Sequence, residues 1–91
     1  MTELAVGRIV AVDEHPGARA PSYLLTVDLG THGCHEVVLS TGAYEPAELV
    51  GAQVICRREA DEVRILAAQS HGHGLVLLHP DHDVEDGTLV D

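Results

Sequence analysis

Residues 6–30 read VGRIVAVDEHPGARAPSYLLTVDLG, and the order of residue types in this stretch decides the fold. Leu4 to Val12 is rich in apolar and β-branched residues and reads as a strand. Gly7 lies inside it, where a glycine signals a bend or bulge of the kind that curves the first strand of a small barrel. Asp13 to Pro21 carries Pro16, Gly17 and Pro21 and reads as a loop. From Ser22 to Leu29 the pattern alternates: Tyr23, Leu25, Val27 and Leu29 fall on one face, and Ser22, Leu24, Thr26 and Asp28 on the other. The stretch is therefore strand, loop, strand, with one face of the second strand turned to a core.

Working outward, Gly30-Thr31-His32-Gly33 is a turn, and His35 to Ser40 is a third strand that forms a hairpin with the second. Tyr44 to Gly51, YEPAELVG, is the one helical signal: Pro46 suits the first turn, Glu45 and Glu48 suit a helix N-terminus, and Gly51 suits the position past the end. Ala52–Arg57 and Val63–Ala68 are further strands about the charged turn Arg58–Glu62. A glycine-rich turn, SHGHG (Ser70–Gly74), precedes a short apolar strand, Leu75–Leu78. The acidic tail HPDHDVEDGTLVD follows, with Val84, Leu89 and Val90 as apolar anchors. Five or six short strands with one short helix after the third is the order of an all-β, five-stranded Greek-key OB barrel. An SH3-like barrel and a plain β-sandwich are the alternatives. The chain of 91 residues is read as a single domain, 1–91.

The formal net charge is −10, and every basic residue is an arginine: Arg8, Arg19, Arg57, Arg58 and Arg64. Protonating all seven histidines leaves the chain negative. Such a chain repels polyanions at long range, whereas a phosphate binder gains affinity by neutralising phosphates. No apolar run is long enough to span a membrane. The opening MTELAVG lacks a basic segment followed by an apolar core, so no signal peptide is read and a cytoplasmic location is expected. There Cys34 and Cys56 are expected as free thiols, Cys56 buried in a strand and Cys34 accessible near a turn.

Three segments resemble the tRNA-binding OB-fold domain family, which includes the CsaA-type chaperones, free-standing tRNA-binding proteins and the C-terminal domain of methionyl-tRNA synthetase. The opening stretch is one, and its wording Ala18-Arg19-Ala20-Pro21-Ser22-Tyr23 is similar to the CsaA-type pattern Ala-Arg-x-Pro-x-Tyr. YEPAELVGAQVI (Tyr44–Ile55) resembles the family's Tyr-x-Pro-Glu-Glu-Leu-x-Gly helix and fourth strand. LVLLHPDHDVEDGTLV (Leu75–Val90) resembles its closing Leu-Leu-x-Pro-Asp-x-x-Val-x-x-Gly. The resemblance implies the OB fold, no catalytic activity, no cofactor, and a homodimer for which Leu75–Leu78 and the tail are the natural contact. It also exposes a departure. Where the family carries a loop of the type Asn-x-x-Pro-Arg followed by Gly-x-x-Ser, which supplies much of the RNA contact, this chain has only CRREADEVRILAA. About ten residues are missing there, more than any shift of element boundaries explains.

The candidate binding residues are Arg19, Ser40, Thr41, Arg57, Arg58 and Arg64. Arg19 stands at a family position that is often basic, and Ser40 and Thr41 end the third strand on the family's binding face. The competing reading pairs these arginines with carboxylates such as Glu59 and Glu62. Single-strand binding by OB folds uses aromatic platforms; only Tyr23 and Tyr44 are available, and both are read as packing residues. His71, His73, His79 and His82, with Asp81 and Asp83, match no standard metal-ligand spacing. Cys34 and His35 are adjacent on a strand and so point apart, which does not favour thiol activation. The sequence thus leaves a non-catalytic binding module for a protein, a peptide or tRNA. The other readings are an acidic accessory or scaffold subunit docking on an enzyme, and a histidine-based metal binder.

Overall fold

The computed structural model describes residues 2–14, 22–40, 44–72 and 74–91. Strand β1 runs Thr2–Glu14 and organises the rest of the fold. It pairs antiparallel with β4 (Gln53–Glu59) from Thr2 to Arg8 and with β2 (Tyr23–Asp28) from Arg8 to Glu14. It also pairs with a short β8 (Leu89–Val90) at Leu4 and Ala5. The sheet continues from β2 to β3 (Cys34–Leu39) and from β4 to β5 (Glu62–Ile65), giving the order β3-β2-β1-β4-β5. Its two ends, β3 and β5, come together to make a nearly closed barrel. A second hairpin, β6 (Ala67–Ser70) and β7 (Gly74–Leu77), adjoins it. This is the small all-β OB barrel expected from the order of elements.

The bend in β1 lies three residues beyond the glycine that suggested it. Ile9 faces Val27 and Ala11 faces Thr26, so Val10 is the extra residue of a bulge. The bulge leaves Ile9 fully buried and Val10 exposed. Gly7 has a different task. A Cβ there would stand 2.5 Å from Val27 Cγ1 and 2.9 Å from Leu29 Cδ2, so its lack of a side chain lets β2 residues pack across β1. The predicted inner face of β2 is the observed one: Leu25, Val27 and Leu29 are buried together with Ile9, Val37, Leu39, Leu49, Val54, Cys56 and Leu77.

Helix α1 is a single turn, Pro46–Leu49, within the Tyr44–Gly51 segment that carried the helical signal. Glu45 and Glu48 form a reciprocal capping box, Pro46 occupies the first turn, and Leu49 enters the core. The apolar run Val63–Ala68 is broken at Leu66 into β5 and β6: the Leu66 N–H still bonds the Ile55 carbonyl, but the Ile55 N–H turns to the Leu78 carbonyl and the ladder with β4 ends there. The charged turn predicted at Arg58–Glu62 is smaller than its composition implies. β4 runs on to Glu59 and β5 begins at Glu62, so the connection is Ala60-Asp61 alone, with Ala60 at φ 53°.

The acidic tail is tied down by groups far away in sequence. Gln53, 5% exposed, donates from Nε2 to the Val84 carbonyl (2.7 Å) and to Asp86 Oδ1 (2.9 Å), and its Oε1 accepts from Val84 N–H (3.1 Å). Arg8, its cross-strand neighbour, donates from Nε to Asp86 (3.2 Å) and from Nη1 to the Gly51 carbonyl (2.8 Å). Gly87, at φ 93°, passes so close to Leu29 that a Cβ would meet its carbonyl oxygen at 2.5 Å. The closing motif Val-x-x-Gly is therefore a structural clasp.

Candidate ligand-binding face

The antiparallel register of β4 and β5 sorts the arginines. Arg57 lies directly opposite Arg64, so both project from one face. Their side chains are 46% and 72% exposed. Arg58 lies opposite Val63, which packs against the core, and so belongs to the other face. There its Nη2 stands 3.3 Å from Glu3 Oε2 and its Nη1 bonds His32 Nδ1, tying the β2–β3 turn to β1 and β4. Arginine is always a donor, so His32 Nδ1 accepts. Ser40 is exposed just past β3. Arg19 and Thr41 lie outside the described residues. Of the six candidates, Arg57 and Arg64 are brought together, and Arg58 is turned away from them.

Each described arginine has a carboxylate partner. Arg8 pairs with Asp86, Arg58 with Glu3, Arg57 with Glu59 at 3.3 Å, and Arg64 with Glu62 at 3.9 Å. The last two pairs are exposed on both sides. Such pairs contribute roughly 0–1 kcal/mol and are screened by salt.

Beside Arg57 and Arg64 runs a groove of about 370 Å³ between the end of β3 and the β6–β7 hairpin. Val38, Leu39, Ile65, Leu66, Ala67 and Leu75 supply its apolar lining. Of these, the sequence singled out Leu75 alone, and as part of a dimer contact instead of a groove. The signal was present, since Val38 falls between the inward Val37 and Leu39 and must face out, where it is 48% exposed. On the other side of the arginine pair the surface is acidic, with Glu36, Asp61 and Glu62 around His35.

Neither tyrosine lines this groove. Tyr23 and Tyr44 pack against the core, and Tyr44 Oη accepts a 3.0 Å bond from the Leu77 N–H. His79 gives its Nδ1 to the Gln53 carbonyl at 2.6 Å, His82 pairs with Asp81, and His73 lies outside the described residues. Among the described residues, no three His, Cys, Asp or Glu side chains converge to hold a metal ion. Cys34 and Cys56 are both free, Cys34 exposed and Cys56 buried. Burial pushes the Cys56 thiol up to about 11, so it stays protonated. His35, half-buried, turns its Nε2 to the His32 carbonyl and away from the Cys34 thiol. No helix among the described residues is long and apolar enough to cross a membrane.

Comparison with known proteins gives consistent neighbours. No protein-family model matches the chain. The structure of the chaperone CsaA from Bacillus anthracis str. Ames superposes with a TM-score of 0.87 at 26% identity, over 99% of this chain and 91% of that one. The CsaA chaperone protein of Picrophilus torridus gives 0.86 at 27%, over 99% and 92%. A MetRS-related protein from Pyrococcus horikoshii shares the fold, with a TM-score of 0.78 at 17% identity over 98% and 89%. In sequence, the methionine–tRNA ligase of Thermococcus kodakarensis is 33% identical over 96 residues, and that of Pyrococcus horikoshii is 32% identical over 96. These matches cover 97% of this chain but only 13% of each ligase.

Proposed function

Because the chain belongs to the tRNA-binding OB-fold family represented by the CsaA proteins, we propose that it is a non-catalytic binding module whose ligand is a protein or peptide segment, its capacity for tRNA having been lost with the β4–β5 loop. The observation that carries this reading is the two-residue connection Ala60-Asp61. OB folds grip oligonucleotides between the face of strands 2 and 3 and the loops joining strands 1–2 and 4–5. Here the second of those loops is too short to reach a ligand and bears a carboxylate. A polyphosphate chain also meets long-range repulsion from a net charge of −10. A gel shift against total tRNA at low salt tests it. The expected result is no shift at micromolar protein; a shift that vanishes as salt is raised restores tRNA as the ligand.

The module acts as a 1–91 domain and as a homodimer. Val76 lies exposed on β7, Leu78 just past its end and Leu89 on β8, 36%, 40% and 58% accessible, and burying them against a second copy offsets the small core of so short a chain. Light scattering behind a sizing column reads this directly, with a monomer mass counting against it. Two unbonded thiols fit a reducing, cytoplasmic location. A second reading, docking on a partner enzyme, draws support from the methionine–tRNA ligases. There the matching stretch is part of a much longer chain. Pull-down from native lysate that recovers RNA alone counts against it.

A further inference from the structure

The pairing of Arg57 with Arg64 is unfavourable as it stands. Like charges directly opposite each other across an antiparallel ladder repel. Their carboxylate partners, Glu59 and Glu62, come from further along the same hairpin, so no acid stands between them. Two exposed guanidiniums side by side, in a strongly acidic molecule, form a place for one anionic group. A guanidinium fork suits a carboxylate or a phosphate.

The surroundings select between these. Among the described residues, the groove that shares Arg57 and Arg64 is lined by Val38, Leu39, Ile65, Leu66, Ala67 and Leu75, with Gln69 as a further polar residue. It holds no aromatic ring on which a base could stack. Its volume of about 370 Å³ lies at the small end of ligand sites and accommodates a few apolar side chains. A single negative charge on an apolar body escapes most of the long-range repulsion that a polyanion suffers. Along the hairpin, the apolar lining stops at the arginine pair, and Glu59, Asp61 and Glu62 lie beyond it. A chain entering over Leu75 and Ala67 meets the positive charges where its own acid group is needed, and then a negative wall.

Resting on the proposed peptide-binding function, we infer that this groove is a docking site for the apolar C-terminus of a protein, with the terminal carboxylate between Arg57 and Arg64. The last side chains of that terminus lie against Val38, Ile65 and Leu75. The peptide ends at the arginines and so avoids the acidic turn.

Fluorescence anisotropy on the intact chain tests the assignment with the labelled peptide Gly-Ser-Gly-Leu-Val-Leu, as the free acid and as the C-terminal amide. The free acid is expected to bind about tenfold more tightly than the amide, the scale of a charge-assisted contact. The double variant R57Q/R64Q, altered only at exposed positions, should erase that difference between acid and amide. Equal binding of acid and amide overturns the carboxylate site but leaves peptide binding standing. Equal binding of the free acid and an amidated peptide with an internal aspartate overturns the preference for a terminus. If neither peptide binds up to millimolar concentration, both the site and the peptide-binding reading fail.

Discussion

Three residues, Gly7, Cys56 and Ala60, fix local geometry in ways that can be read out singly. Gly7 sits where any Cβ would overlap Val27 and Leu29. Gly7→Ala is expected to destabilise the fold by about 1–3 kcal/mol, the usual cost of overpacking, seen as a lower urea midpoint at unchanged slope. The Cys56 thiol is held neutral by burial, with its pKa raised from 9.0 to about 11. Between those values the unfolded chain gives up the proton and the folded chain keeps it. The stability due to this group is therefore complete below pH 9 and declines as pH rises toward 11, with a slope of up to about 1.4 kcal/mol per unit. A Cys56→Ala chain, though less stable, should show a flatter alkaline decline. Ala60 takes a φ of 53° that an L-residue adopts only at a cost. Ala60→Gly is expected to stabilise by about 0.5–1 kcal/mol, read by thermal denaturation. An unchanged midpoint would mean that the turn relaxes.

At the scale of elements, the barrel is closed by its tail as well as by its sheet. Gln53 satisfies the backbone of Val84 and the carboxylate of Asp86 together, and Arg8 holds the same carboxylate. Removing Gln53 strands buried partners, so Gln53→Ala should cost about 2–3 kcal/mol and make residues 79–91 the first site of proteolysis. Equal protease resistance of the variant and parent chains would show that the tail is held by other contacts. This clasp was not legible in the sequence, because Arg8 and Asp86 are 78 residues apart and no local pattern links them. The alternation of β2 was legible, because a half-buried strand writes its two faces directly into residue order. The bulge at Val10 was not: Gly7 drew the expectation, while the bulge is set by keeping Ile9 inside and pairing both β2 and β4. The trimmed β4–β5 connection was visible as missing residues. Its reduction to Ala60-Asp61 was hidden by five charged or small residues that read as a longer turn, although most of them are strand.

For the whole molecule, charge and fold pull in different directions. The backbone is that of a tRNA-binding-type barrel, yet the net charge is −10 and the described arginines are all paired. Self-repulsion of that size should be relieved by salt, so the thermal midpoint should rise by a few degrees between low and moderate ionic strength. A midpoint insensitive to salt would mean that the charges are already balanced locally. On the function proposed above, the tight turn between the fourth and fifth strands is what keeps this barrel from holding tRNA. The most direct test replaces Ala60-Asp61 with a basic loop of the family type, Asn-Lys-Lys-Pro-Arg-Gly, and titrates parent and grafted chains against total tRNA at low salt. The grafted chain is expected to shift tRNA with a steep salt dependence while the parent does not. Binding by the parent, or no binding by a folded graft, would contradict it.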